Sequence, residues 1–156
     1  MPVVIRKLHP LLAGEVSGLD ITQPIAPMDV AAIEAGMDQY AVLVLRGQAI
    51  TDEQQMVFSR NFGVLENAHG GNVTKPGEHR LAKGMNDVSN IGKDGRPLAR
   101  DSRQQMFNLG NMLWHSDSSF RAIPAKYSLL SARIVNPIGG NTEFADMRAE
   151  IGRAHV

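Results

Sequence analysis

The stretch Tyr40-Ala41-Val42-Leu43-Val44-Leu45 is nearly continuous in apolar residues and is stopped by Arg46-Gly47. A strand with one wet face alternates apolar and polar side chains. An unbroken apolar run suits a strand covered on both faces. Such a strand needs neighbours on both edges and a layer above and below, so the rest of the chain is read as what surrounds it. Val3 to Leu8 is a short β-branched run stopped by His9-Pro10, and Glu15 to Ile21 alternates as a second strand would. After Pro24 and Pro27, Asp29 is placed to cap a helix running to about Gln39, with Val30, Ile33 and Met37 at helical spacing.

Beyond the central run, Thr51-Asp52-Glu53-Gln54 has the form of a capping box: the threonine hydroxyl and the glutamine amide each satisfy a backbone donor that the first helical turn leaves free. Val57, Phe58 and Phe62 give that helix an apolar side, and Gly63 is placed to end it. The pattern then breaks. From Glu66 to Lys83 the chain has loop chemistry, with Gly70-Gly71 and Lys75-Pro76-Gly77, and with His69 and His79 read as solvated loop histidines. Asp87 to Ile91 has strand character and leads into Asp94-Gly95, a strong hairpin-turn pair flanked by Lys93 and Arg96. As residues alone, those two cations are ordinary solvent-facing turn charges. Residues 97 to 112 show little periodicity. Ala125 to Val135 fits helix or strand, and its β-branched end before Pro137 favours strand. Asn141 to Ala145 alternates as a further strand, and Asp146 can cap a following helix.

Between these regions lies Leu113-Trp114-His115-Ser116-Asp117-Ser118-Ser119-Phe120. In an extended segment, residues two apart point to the same side, so His115 and Asp117 face one point. An imidazole nitrogen and a carboxylate are two of the three ligands in the two-histidine, one-carboxylate triad that holds non-haem Fe(II) with open positions. The pair alone is a weak signal, because the five histidines and nine aspartates of the chain supply about 0.3 such pairs by chance. A polar loop that caps a helix or bonds to backbone is the competing reading.

The surrounding segments carry more. The run from Leu113 to Phe120, then Tyr127-Ser128-Leu129-Leu130-Ser131-Ala132, then Gly139 to Arg148, resembles the taurine and 2,4-dichlorophenoxyacetate dioxygenase (TauD/TfdA) family. Val42 to Gln48, Phe58 to Gly63 and Asp87 to Asn90 agree as well, in order, from about residue 3 to residue 150. The phenoxyacetate branch is the most similar. The resemblance implies a mostly β fold with flanking helices (α+β), a double-stranded β-helix or jelly roll, incomplete at its C-terminus. It implies Fe(II), with 2-oxoglutarate and O2 as co-substrates. His115 and Asp117 are then metal ligands, and Thr142 bonds the 2-oxoglutarate carboxylate. Asn90 lies near the co-substrate and substrate pocket, and Arg96, with Lys93 second to it, meets a substrate carboxylate. The reaction implied is hydroxylation of a small organic acid, aryloxyacetate-like or sulfonate-like, with release of succinate and CO2.

The family's distal histidine, and the arginine after it that binds the far carboxylate of 2-oxoglutarate, have no counterpart in this chain. Residues 1–150 therefore read as the N-terminal part of a dioxygenase domain, expected to be aggregation-prone in isolation. Ile151 to Val156 is the translation of ATC GGA AGA GCA CAC GTC, the start of a common sequencing adapter, and reads as a non-native tail. A non-catalytic ligand-binding or interaction module with a degenerate metal site is the alternative. Sixteen basic and sixteen acidic residues give no field to gather nucleic acid or anionic membrane. Without cysteine, a leader or a long apolar run, the chain reads as cytoplasmic. A homo-oligomer of the full-length protein is compatible with all of this.

Overall fold

The computed structural model describes residues 2–66, 77, 79–82 and 84–150. His69, His155 and the tail 151–156 lie outside the described residues. The chain divides into two compact units, Met1–Phe62 with Leu130–Val156, and Gly63–Leu129.

In the first unit, β1 (Val4–Lys7) pairs antiparallel with β2 (Gly14–Ser17), and β2 pairs in parallel with β3 (Leu43–Leu45). The registers run Val4 to Ser17 and Gly14 to Leu43. The parallel step needs a crossover, supplied by the helix α1 (Pro27–Tyr40). Pro27 opens that helix, where its missing N–H costs nothing, and Asp29 sits in the first turn rather than at the cap, which is Ala26. Gly14 lets the helix end come close to the sheet: a Cβ there would lie 2.7 Å from Ile5 Cγ2 and 2.9 Å from Tyr40 Cδ2.

The apolar run is shorter and less central than its composition suggests. Tyr40 closes α1, and Ala41 takes the left-handed conformation (φ 60°) with its N–H on the Met37 carbonyl. Three residues remain for β3, half-buried at the edge of the three-stranded sheet. A central strand needs a partner on each side, and among the described residues only β2 pairs with it. Glu15 ties the sheet together, accepting from Arg6 and from Arg46 Nε at 2.8 Å. Gln48 accepts from the Ile21 N–H at 3.1 Å and donates to the Leu19 carbonyl at 3.2 Å, which closes the turn after β2 in place of the longer strand read there.

The capping box forms as read: Thr51 Oγ1 accepts from the Gln54 N–H at 3.2 Å, and Gln54 Oε1 accepts from the Thr51 N–H at 2.9 Å. It starts α2 (Asp52–Ser59), which passes into a 3-10 turn over Arg60–Phe62 before Gly63 at φ 141°. Phe58 is buried, and its ring meets Phe62 edge to face at 5.3 Å.

Residues 130–150 return to this unit without forming strands. Among the described residues no strand follows Leu45, so the strands read at Ala125–Val135 and Asn141–Ala145 are corrected to irregular chain. Alternation selects an extended backbone, but a strand exists only where a neighbour takes up its N–H and C=O groups. Two arginines hold the segment instead. Arg133 donates to the Ile50 carbonyl at 2.6 Å and to Asp52 Oδ1 at 2.9 Å. Arg148, on α4 (Met147–Glu150), donates to the Asp38 carbonyl and to Asp146, whose Oδ1 also accepts the Arg148 N–H at 3.0 Å.

The second unit has less regular structure. The Asp94-Gly95 turn forms, with Gly95 at φ 76°, and it is closed by bonds from Gly92 N–H to the Arg96 carbonyl and from Leu98 N–H to the Asn90 carbonyl, both 2.8 Å. The strand read at Asp87–Ile91 is reduced to one bridge, Ile91 to Pro97. The helix α3 (Arg103–Leu109) lies in the stretch that had shown little periodicity. Its cue was local: Ser102 Oγ accepts from the Gln105 N–H at 3.2 Å, half of the same Ser/Thr-x-x-Gln box.

Candidate metal centre

The His115–Asp117 segment is positioned by what precedes it. After α3, a 3-10 turn over Gly110–Met112 is closed by the Leu113 N–H on the Gly110 carbonyl, and Leu113 then turns extended (φ −95°, ψ 146°). The segment is not part of a ladder, yet it delivers what the two-residue spacing promises. His115 Nε2 and Asp117 Oδ1 lie 3.2 Å apart, both half-exposed.

The other ring nitrogen settles the chemistry of the pair. His115 Nδ1 is 2.7 Å from the Leu113 carbonyl oxygen, which can only accept, so Nδ1 carries a proton. In the neutral ring, Nε2 is then a lone pair directed at a carboxylate. Two electron-rich atoms at this distance call for a cation between them, a proton or a metal ion. Ligands about 2.1 Å from one metal and at right angles to each other are about 3.0 Å apart, close to the separation seen here. The Nδ1–H bond to a backbone carbonyl is the outer contact that metal-bound histidines use to fix ring and tautomer. The donor set fits two of the three protein ligands of such a site. No group of three or more His, Cys, Asp or Glu side chains suited to a metal occurs among the described residues.

The turn after Asp117 is anchored from far away in sequence. Ser118 is left-handed (φ 56°), and the Arg121 N–H closes the turn on its carbonyl at 3.0 Å. Ser118 Oγ donates to Glu66 Oε2 at 2.6 Å, and Arg121 Nε pairs with Glu66 Oε1. Nothing in the sequence marks Glu66 for this role, because the contact spans 52 residues.

Asn90, Lys93 and Arg96 share the hairpin of the same unit. They are not equivalent. Lys93 Nζ donates to the Gly77 carbonyl at 2.6 Å, and the Asn90 carbonyl closes the hairpin. The Arg96 guanidinium is exposed, with no hydrogen-bond or ion-pair partner among the described residues. Thr142 belongs to the other unit and is exposed on irregular chain.

The family profile described as Taurine catabolism dioxygenase TauD, TfdA family matches residues 5–151. The chain belongs to the TauD/TfdA family. It is 45% identical over 149 residues to an alpha-ketoglutarate-dependent 2,4-dichlorophenoxyacetate dioxygenase of Cupriavidus pinatubonensis, covering 96% of this chain and 52% of that protein. To an (S)-phenoxypropionate/alpha-ketoglutarate-dioxygenase of Delftia acidovorans it is 34% identical, over 76% of this chain and 38% of that one. Among solved structures, AAD-2 in complex with Mn(II) and N-oxalylglycine is 62% identical with a TM-score of 0.89, over 97% of this chain and 53% of its own. The chain thus spans about half the length of the relatives it matches. No helix among the described residues is long and apolar enough to cross a membrane.

Proposed function

We propose that this chain is the N-terminal part of a cytoplasmic Fe(II)- and 2-oxoglutarate-dependent dioxygenase with a double-stranded β-helix fold, acting on a small aryloxyacetate-like acid. The single observation that carries the reading is the His115–Asp117 pair, 3.2 Å apart with Nδ1 committed to a backbone carbonyl, in a chain of this family. Support for the substrate class comes from relatives named for dichlorophenoxyacetate and phenoxypropionate. The third metal ligand and the arginine for the far end of 2-oxoglutarate belong to sequence beyond these residues.

When bound, the iron supplies the redox chemistry that couples decarboxylation of 2-oxoglutarate to substrate hydroxylation. The balance is substrate C–H, 2-oxoglutarate and O2 to substrate C–OH, succinate and CO2. His115 Nε2 and Asp117 hold the metal, and Leu113 keeps the ring in the metal-binding tautomer. Thr142 donates to a 2-oxoglutarate carboxylate. Arg96 grips the substrate carboxylate, for which a planar guanidinium offers two parallel donors, and Asn90 contributes a polar contact at the base of the same hairpin. Lys93 is second to Arg96, its ammonium being engaged by Gly77. An aryloxyacetate hydroxylated beside its ether oxygen gives a hemiacetal that breaks to a phenol and glyoxylate.

The test is to carry the source reading frame to its own stop, express that product with Fe(II), 2-oxoglutarate and O2, and measure succinate and phenol with phenoxyacetate, and succinate with taurine. Phenoxyacetate-dependent release of both products is expected. Turnover with taurine alone removes the substrate class, and no turnover with either leaves a binding module as the better reading.

A further inference from the structure

We infer that Glu66 is a positioning residue for the metal pair, through the turn that follows Asp117. This rests on the metal-centre reading above. Its two carboxylate oxygens engage different groups, Oε2 accepting from the Ser118 hydroxyl at 2.6 Å and Oε1 pairing with Arg121. Ser118 and Arg121 are the first and last residues of one turn, closed by the Arg121 N–H on the Ser118 carbonyl. A single side chain thus clamps both ends of the turn.

The clamp acts one residue from a ligand. Ser118 holds a left-handed backbone at φ 56°, a conformation that a residue with a Cβ adopts only when its surroundings hold it there. The backbone leaving Asp117 is therefore under load, and the direction of the Asp117 carboxylate depends on what keeps Ser118 in place. Glu66 bonds that residue's own hydroxyl. With both oxygens engaged and Arg121 balancing its charge, Glu66 is held as an anchor. Loss of a side chain that orients a ligand without touching the metal typically costs about 10–100-fold in metal affinity.

A matched control lies in the same unit. Arg80 and Asp87 form a two-pronged ion pair at 2.7 and 2.8 Å, with side-chain exposures of 27% and 20%, against 31% and 24% for Arg121 and Glu66. Breaking either pair removes a comparable half-buried contact, but only one of them leads to Asp117. Mn(II) binding by the gene product carried to its own stop is measured by the loss of the free-ion paramagnetic resonance signal, for wild type, Glu66→Ala, Glu66→Gln, Arg80→Ala and His115→Ala. Glu66→Ala is expected to weaken Mn(II) binding about 10–100-fold. Glu66→Gln recovers part of the loss, because its amide oxygen still accepts from Ser118, and Arg80→Ala leaves the affinity unchanged. The inference is overturned if Glu66→Ala binds like wild type while His115→Ala does not, or if Arg80→Ala weakens binding as much as Glu66→Ala. If His115→Ala itself binds like wild type, the metal-centre reading fails and takes the inference with it.

Discussion

Val16, Ile21, Ile33 and Phe58 are buried in the first unit, whereas no described residue from Gly63 to Leu129 is. The first unit therefore adds apolar burial to its polar contacts, and the described residues of the second rely on polar contacts alone for their fixed points. Around the sheet and its helices, geometry follows from excluded apolar surface and close approach. In the second unit it follows from directional polar contacts: the Leu113 carbonyl on His115, Glu66 on Ser118 and Arg121, and Asp87 on Arg80. A site of this second kind owes little to nearby core volume and much to single hydrogen bonds.

The largest effect is expected when the same kind of side chain is removed from each unit in turn. Phe58→Ala deletes a buried ring that meets Phe62, and should lower unfolding free energy by about 3–5 kcal/mol in urea titrations. Phe107 on α3 is 54% exposed, and Phe107→Ala should stay within about 0.5–1 kcal/mol of wild type. Equal losses would show that the second unit has an apolar core after all. Next in size is Gly14→Ala. Its Cβ would meet Ile5 at 2.7 Å and Tyr40 at 2.9 Å, and overpacking of this kind costs about 1–3 kcal/mol. Thr51→Ala, which opens the capping box, should cost about 1 kcal/mol, seen as a lower urea midpoint at unchanged slope.

These contrasts also explain how far the sequence could be read. Thr51 and Gln54 were legible because both halves of the box lie within one helical turn, as was the Asp94-Gly95 hairpin. The Ser102 cap was equally local and went unread for want of apolar periodicity after it. His115 and Asp117 were legible as a pair because two side chains so close in sequence can meet without a strand partner, and here they lie 3.2 Å apart. Partners close in sequence were legible too, since β1 and β2 pair as neighbouring strands, and what failed was pairing with segments far along the chain. Whether Leu43–Leu45 is central or at an edge, and whether Asn141–Ala145 pairs at all, depends on segments elsewhere in the chain. The same holds for Glu66, whose residue type and neighbours look like ordinary loop.

A smaller difference is in the response to acid. Glu15 is held below the usual carboxylate range by hydrogen bonds first from Arg6 and then from Arg46, Asp20 by the Thr22 hydroxyl and N–H, and Asp146 by Arg148. All three belong to the first unit. A carboxylate depressed on folding binds fewer protons in the folded state, so its contribution is complete above its ordinary value and is lost as pH falls through the lowered one. The arginines of such pairs are shifted the opposite way in both units, Arg80 raised by Asp87 and Arg148 by Asp146, and that contribution is lost only in strong alkali. Melting temperature should therefore fall below about pH 4, and Asp146→Asn should make that fall shallower. An unchanged slope would mean that the Arg148 contact does not persist in solution.

The smallest expected effect tests the hairpin. Lys93 is tied to the Gly77 carbonyl, and Arg96 has no partner among the described residues, although both flank one turn and carry one charge each. Arg96→Ala should therefore leave stability within about 0.5 kcal/mol of wild type, as surface substitutions away from specific contacts do. Lys93→Ala, which releases an exposed carbonyl to water, should cost somewhat more, though still under about 1 kcal/mol. On the proposed substrate reading, turnover by the gene product carried to its own stop should rank them the other way, with Arg96→Ala raising KM for an aryloxyacetate more than Lys93→Ala does. A guanidinium with no partner among the described residues can be removed without loss of stability, and a KM effect without a stability effect is what distinguishes a substrate contact from a turn charge. If Arg96→Ala instead lowers stability with KM unchanged, its partner lies within the protein and the substrate carboxylate is met elsewhere.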